Sequence, residues 1–329
     1  MNKFNDSKKV RFIVLDCNGN ETDIPKTNHI EIIQNQCNPA LSKLIRATVG
    51  SEKSIHFANH MKIMRQLELV DYEPASDKGH FRFYPNGTLI YQLLTKWCEQ
   101  IATKNFEALP IKTPFIYYLN SQAVQEQIGI FTKEIYSVFG GQNEKEFVLR
   151  FNDDLGLFEV MKNAQITYHH LPIRIYEHTP SFRYNKSGAL SGIRRGRYFS
   201  FTDIHSFCQD LKHSLTEYKK IHHNLINLAK QVGIKPIIHF KVTQDFYLTV
   251  KNLMTSMLDD QEKMLVEIIP NQKQYWTMKH IICTDHPQTL FHIQLDLENS
   301  KRFNITYTDK DNIKKNCVII HTSLGSIEK

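Results

Sequence analysis

Residues 174–208 read RIYEHTPSFRYNKSGALSGIRRGRYFSFTDIHSFC, two stretches of strand-like sequence around a long basic loop. Ile175, Tyr176 and Phe182 on the way in, and Tyr198, Phe199 and Phe201 on the way out, are interleaved with polar residues, as in paired antiparallel strands. Between them, Tyr184 to Arg197 carries glycines at 188, 192 and 196 and cations at Lys186, Arg194, Arg195 and Arg197. Glycine lets a backbone bend sharply and approach a ligand. Guanidinium groups grip phosphate oxygens through a planar fork, so the loop suits a polyphosphate. On the outgoing strand Asp203 and His205, two positions apart, share a face.

Upstream, Val10–Ile24 reads as a hairpin around Asn18-Gly19, followed by short helices over Asn38–Val49 and Ser54–Leu67. Phe81, Phe83 and Tyr84 lead into a turn at Pro85-Asn86-Gly87. A helix over Thr88–Asn105 follows, with Leu89, Leu93, Leu94, Trp97 and Ile101 on one apolar stripe. Leu109–Leu119 reads as a strand. Pro114 within it removes a ladder bond and marks an edge or an interface. Gln122–Phe139 is expected to be helical and Glu146–Phe151 a strand. Leu155–Lys162 is expected to be a helix capped by Asn152-Asp153-Asp154.

Downstream, His205–Val232 reads as a long amphipathic helix with Leu211, Leu215, Tyr218, Ile221, Leu225 and Leu228 facing the core, and with His213, His222 and His223 at the surface. Strands are expected at Pro236–Val242 and Met264–Ile269, a helix at Asp245–Asp259, an antiparallel pair at Gln274–Cys283 and Thr289–Leu297, and a last strand at Asn316–His321. Mostly hairpin-connected strands with interspersed helices predict an α+β fold, an antiparallel sheet with helices packed on it.

The succession Arg183, Ser187-Gly188, Arg195-Gly196-Arg197-Tyr198-Phe199 and Asp203-Ile204-His205 resembles motif 2 of the class II aminoacyl-tRNA synthetases, closest to threonyl-tRNA synthetases of the archaeal type. SDKGHFRFYPNGTLIYQLL, residues 76–94, is similar to the same family. The Pro114 segment is similar to motif 1, which pairs subunits, and residues 294–329 resemble motif 3, in which a strand ends in His and a helix opens with Gly-Ser. The resemblance covers about residues 10–329. It implies residues 1–53 as an N-terminal hairpin-and-helix extension and 54–329 as a class II catalytic domain ending within motif 3.

The implied activity is ATP-dependent amino acid activation, with threonine as the amino acid and tRNA as the acceptor, in a cytoplasmic homodimer. The family's editing and anticodon-binding domains lie outside the match, so a second polypeptide supplying anticodon recognition is one expectation. A synthetase-like paralogue that loads a non-tRNA acceptor, or acts as a binding or regulatory module, is the alternative.

The resemblance also assigns roles. Arg183 would contact the α-phosphate and the substrate carboxylate, Arg195 the γ-phosphate, and Phe199 would stack on adenine, although a core aromatic has the same signature. Asn185 stands where the family has a Glu that reads adenine, and Lys329 where it has the motif 3 Arg. ATP is expected with Mg2+. Asp203 would read the substrate hydroxyl, and Gln294 would line the amino acid pocket. The family's zinc is held by one Cys and two His. His205 and His321 match the histidines, while LRFNDDLGLF puts Asp154 in place of the Cys. Asp154, His205 and His321 remain a two-His, one-carboxylate set for a divalent metal, with the softer thiolate lost.

Composition agrees with such a chain. An apolar fraction of 41% and a charged fraction of 23% over 329 residues suit a soluble globular protein with a sizeable core. No apolar run approaches the ~18 residues of a membrane span, and the first residues lack the apolar core of a secretory signal. The formal charge of +7 favours an anionic partner. The scattered cysteines (17, 37, 98, 208, 283, 317) read as reduced thiols.

Overall fold

The computed structural model describes residues 9–25, 37–50, 59–130, 134–140, 145–272, 274–284 and 288–328. Its centre is a ten-stranded sheet. The strands are β1 (Arg11–Asp16), β2 (Glu21–Asp23), β3 (Leu109–Pro110), β4 (Ile173–Phe182), β5 (Tyr198–Cys208), β6 (Ile237–Thr243), β7 (Lys263–Ile269), β8 (Trp276–Cys283), β9 (Thr289–Asp296) and β10 (Val318–Ser326). Their spatial order is β2-β1-β7-β6-β8-β9-β10-β5-β4-β3. Most neighbours are antiparallel, as expected, but β6 pairs with β7 and β4 with β3 in parallel. The N-terminal hairpin is not set apart from the central sheet. β1 runs its whole length against β7, so it is one of the strands of the central sheet.

The described helices are α1 (Pro39–Val49), α2 (Asn59–Gln66), α3 (Pro85–Lys104), α4 (Gln122–Ile130), α5 (Asp154–Lys162), α6 (Leu211–Gln231), α7 (Gln244–Thr255) and α8 (Asn299–Arg302). Tyr218, Ile221, Leu225 and Leu228 of α6 are buried against the sheet beside Phe240, Ile293 and Ile320, as its apolar spacing predicts. Smaller sheets flank the main one: Ile116–Tyr118 with Lys145–Leu149 and Ser137–Gly140, and Val70–Tyr72 with Phe81–Phe83. The six cysteines are free thiols.

Several elements differ from their sequence reading, each for a local reason. Pro85 opens α3 instead of turning before it, because a proline lacks only an N–H that the first helical turn cannot use. The Leu109–Leu119 strand divides into β3 and Ile116–Tyr118, with Pro114 in the irregular stretch between. Of the helix expected through Phe139, Gln122–Ile130 is helical, and Ser137–Gly140 instead pairs with Lys145–Leu149. β5 continues to Cys208, and α6 starts only at Leu211, where the Asp210 carboxylate accepts from His213 N. His222 is buried, not at the surface, with Nε2 donating to Met257 O at 3.0 Å. At the end of the chain, β10 runs past His321 to Ser326, so the Gly325-Ser326 pair is strand and not the start of a helix. Lys329 and residues 54–58 of the second expected helix lie outside the described residues.

Candidate active site

Strand register builds the site. His205 of β5 lies opposite His321 of β10, and His321 lies opposite Gln294 of β9. Since side chains alternate faces along a strand, this one register carries a row of functional residues across the sheet. Asp203, two residues from His205, is opposite Ser323 in the neighbouring row. Above these rows is a cleft of about 400 Å³ lined by Asp153, Asp154, Arg183, Asn185, Arg195, Phe199, Asp203, Tyr275, Gln294 and His321, among others.

Asp154 does not cap α5 through its side chain, and neither does Asp153, the residue at the cap position. The two carboxylates turn to the histidines instead. Asp154 Oδ1 accepts from His205 Nε2 at 3.1 Å and lies 3.4 Å from His321 Nδ1, while Asp153 Oδ2 is 3.7 Å from His205 Nδ1. One donor atom from each of Asp154, His205 and His321 falls within a 4.8 Å set, and all three residues are buried. A divalent cation fits this donor set: two imidazoles and a carboxylate converge, and His321 is anchored from behind by Asp296. Burial favours protonation of Asp154, but hydrogen bonds from both histidines outweigh it and hold its carboxyl well below the usual range. Burial opposes the His321 imidazolium, yet its bonds to Asp154 and Asp296 push it up to about 10. Burial, reinforced by the charge of Asp153, raises the Asp203 carboxyl, whose Oδ1 has no hydrogen-bond partner among the described residues.

The phosphate side is built from the β4–β5 loop. Arg183 Nε donates to Phe151 O at 2.9 Å, and its guanidinium carbon stands 5.0 Å from the Phe199 ring centroid. Arg195 lines the cleft and is exposed, available to a ligand. Arg197 is not. It is buried and paired with Asp77, so the loop presents Lys186, Arg194 and Arg195 as its outward cations. Asn185 lines the cleft too, but its amide nitrogen is spent on Gly196 O at 2.9 Å.

The cleft therefore unites Asp154, Arg183, Asn185, Arg195, Phe199, Asp203, Gln294 and His321, with His205 hydrogen-bonded directly beneath. Sequence reasoning passed over Tyr275, Asp153 and Asp296. Tyr275 donates to Gln294 Oε1 at 2.6 Å and packs its ring 5.0 Å from that of His321. Asp296 could have been found from period two, since it follows Gln294 by two residues on the same strand face.

Comparison with known proteins agrees with the geometry. The model of the family described as the tRNA synthetase class II core domain (G, H, P, S and T) matches residues 134–329. The threonine–tRNA ligase of Thermococcus onnurineus (strain NA1) is 36% identical over 280 residues, 82% of this chain and 44% of the relative. That of Methanobrevibacter smithii is 35% identical over 300 residues, 89% of this chain and 49% of the relative. The chain thus spans about half the length of these curated relatives. Among solved structures, the RNA binding domain of threonyl-tRNA synthetase from Cryptosporidium parvum Iowa II is similar with a TM-score of 0.69 at 22% identity, over 82% of this chain and 70% of that one. Giardia lamblia prolyl-tRNA synthetase in complex with prolyl-adenylate is similar with a TM-score of 0.65 at 16% identity, over 82% and 51% respectively, a likeness of fold.

Proposed function

The chain belongs to the class II tRNA synthetase core-domain family, and from that premise we propose that it activates threonine with ATP and transfers it to tRNA. In the first step a carboxylate oxygen of the amino acid attacks the α-phosphorus, the bond to the β-phosphate oxygen breaks, and pyrophosphate leaves. In the second a tRNA ribose hydroxyl attacks the acyl carbon and AMP departs. What supports this reading most is the convergence of Arg183, Arg195, Phe199 and Asp203 on one cleft.

Arg183, half-buried in the cleft wall, neutralises charge building on the α-phosphate oxygens and holds the attacking carboxylate in line. Arg195 takes the far phosphates of ATP, which binds with Mg2+, and Phe199 stacks on the base. The unpartnered, buried Oδ1 of half-buried Asp203 is suited to a substrate hydroxyl or ammonium hydrogen. Gln294, held by Tyr275, closes the amino acid pocket. A divalent ion on Asp154, His205 and His321, zinc by the family resemblance, would supply a Lewis-acidic seat for the amino and hydroxyl groups of the substrate.

The proposed assembly is a homodimer. Leu89, Leu93, Leu94 and Trp97, an apolar stripe on α3, are exposed instead of packing on the core, and Ile116 and Tyr118 beyond Pro114 are exposed as well. A large apolar surface left to solvent marks an association site. No helix among the described residues is long and apolar enough to cross a membrane, and the proposed location is the cytoplasm.

The test is pyrophosphate exchange into ATP with the purified chain and each of the twenty amino acids, followed by charging of threonine tRNA. Exchange driven by threonine above all others is expected. Exchange with no amino acid would overturn the reading.

A further inference from the structure

We propose that Asp77 is a positioning residue for the phosphate side of the cleft, fastening the β4–β5 loop so that Arg183 and Arg195 face the nucleotide. This rests on the activation chemistry proposed above. Asp77 does not line the cleft, but it ties together segments that do.

Its carboxylate takes Arg197 Nη1 on both oxygens, at 2.6 and 2.7 Å, and Tyr136 Oη donates to Oδ2 at 2.6 Å. Arg197 passes the constraint across the neck of the loop. Its Nε donates to Asn185 O at 2.9 Å, its carbonyl accepts from Arg183 N at 2.8 Å, and its guanidinium lies 4.1 Å from the Tyr184 ring centroid. Tyr136 does the same from the other side: its ring packs 5.2 Å from that of Tyr184, whose N–H donates to Glu134 O at 3.1 Å. Glu134, Arg183, Asn185 and Arg195 all line the cleft, so one carboxylate outside it joins the three segments that carry them.

The backbone around Asp77 is shaped for this contact. Gly79 sits at φ +89°, and a Cβ there would come within 2.8 Å of Arg197 N. A Cβ on Gly196 would lie 2.6 Å from Gly79 O, and Gly79 O accepts Arg197 N at 2.8 Å. The turn and the neck therefore approach each other as only glycine permits. Arg197 is buried while Asp77 is 38% exposed at its side chain, so the Asp is the detachable half of the pair. Without it a buried guanidinium loses its counter-charge and moves toward solvent, carrying the neck with it.

Asp77→Asn keeps shape and removes charge, and two readouts test it. In pyrophosphate exchange, KM for ATP should rise about tenfold and kcat should fall several-fold, because Arg195 and Arg183 both lose their aim, while KM for threonine changes less than about threefold, since Asp203 and Gln294 lie outside the loop. Arg197→Met should give the same pattern, and the double variant no further loss, because both remove one interaction. Independently, limited trypsinolysis should cut after Lys186, Arg194 or Arg195 several-fold faster in Asp77→Asn. If Asp77→Asn lowers stability too far to assay, Tyr136→Phe removes only the hydroxyl bond and should shift both readouts in the same direction. Wild-type ATP KM together with wild-type cleavage overturns the proposal. So does a rise in threonine KM equal to that for ATP. If the wild-type chain shows no exchange, the activation reading fails, and the proteolysis alone decides whether Asp77 fastens the loop.

Discussion

Asp296 Oδ2 accepts a hydrogen bond from His321 Nε2 at 2.9 Å. Because a carboxylate can only accept, this contact keeps a proton on Nε2 and turns Nδ1 toward Asp154, 3.4 Å away, the nitrogen that would give up its proton to ligate a cation. Asp296 is itself fixed by Glu298 N, Asn299 N and Asn299 Nδ2, at 2.8, 2.9 and 2.7 Å. It is fully buried. Carboxylates in this place behind a metal-ligating histidine hold ring orientation and tautomer. Asp296→Asn should weaken divalent-cation binding by about 10- to 100-fold, read from the visible absorbance of cobalt(II) titrated into the protein. Equal affinity in variant and wild type would remove Asp296 from the site.

Arg183 is expected to matter most for chemistry. It is half-buried in the wall of the cleft, where desolvation depresses its basicity and Asp203 opposes that loss. A fixed donor aimed at developing charge in a water-poor site is typically worth about 10²–10³ in rate. Arg183→Ala should therefore lower kcat for threonine-dependent exchange by at least about 10², with the melting temperature little changed. A loss below about threefold would show that Arg183 does not touch the reacting phosphate.

How far the sequence reaches is clear from particular residues. Asp203 and His205 are legible because strand period two places them on one face, whereas His321 and Gln294 come from the family resemblance and are aligned with His205 by register. The pairings that fix these residues are not legible, even where strand period marks the residue itself, as it does Asp296. Asp296 holds a histidine 25 positions away and Asp77 an arginine 120 positions away, and no local pattern encodes such pairs. The stripe on α3 is legible as apolar, but an amphipathic pattern cannot say whether the surface that covers it belongs to the same chain. His222 was misjudged for the converse reason. A polar residue close behind Lys219-Lys220 and followed by His223 and Asn224 reads as surface, yet its position on α6 turns it inward beside His280.

The α3 stripe leads to an oligomeric prediction. Leu93 is 58% exposed at its centre, a costly arrangement for an apolar side chain unless something covers it. The purified chain, of 38.6 kDa, should sediment at twice that mass. Leu93→Asp should bring it to the mass of one chain, because a buried unpaired carboxylate is strongly unfavourable at an interface. A monomer for the wild type at micromolar concentration would exclude this face as a self-association surface.

The buried histidines behind the sheet predict acid sensitivity. The His280 ring lies 4.9 Å from that of His222 and 4.4 Å from Phe240, and neither of its nitrogens has a partner among the described residues. Tyr218 stacks at 6.4 Å, and His239, 3.4 Å from Glu267, belongs to the same neighbourhood. Burial, aided by the neighbouring histidines, pushes His280 well below the usual range, and burial holds His222 at about 4. The unfolded chain takes up these protons near pH ~6.5 while the folded chain resists them, so stability is full above that pH and falls as the pH drops toward ~4. For His222 alone the loss is on the order of 3 kcal/mol at most. The urea midpoint should decline between about pH 7.5 and pH 5, and His280→Phe, which can stack on Phe240, should make the decline shallower. An unchanged slope in that variant would place the acid sensitivity elsewhere.

The last prediction concerns the charge pair that carries the Asp153–Asp154 turn. Arg150 Nη2 lies 2.6 Å from Glu177 Oε2, with both side chains almost fully buried. Thr113 N and Thr113 Oγ1 donate to the same carboxylate, and Arg150 Nε donates to Asn152 O at 3.3 Å. The pair thus joins the segment before Pro114, strand β4 and the residues that present Asp154 to the histidines. Desolvation consumes much of the attraction in such a pair, so its presence is weak evidence of net stabilisation. Breaking it is another matter. Glu177→Gln leaves a buried guanidinium without a counter-charge, which costs about 3–5 kcal/mol. The double variant Arg150→Met, Glu177→Leu removes both charges and should lose less than the single one, although Thr113 then lacks its acceptor. Urea denaturation of wild type, single and double variants gives the comparison directly. A double variant less stable than Glu177→Gln would mean that the ion pair is a net source of stability.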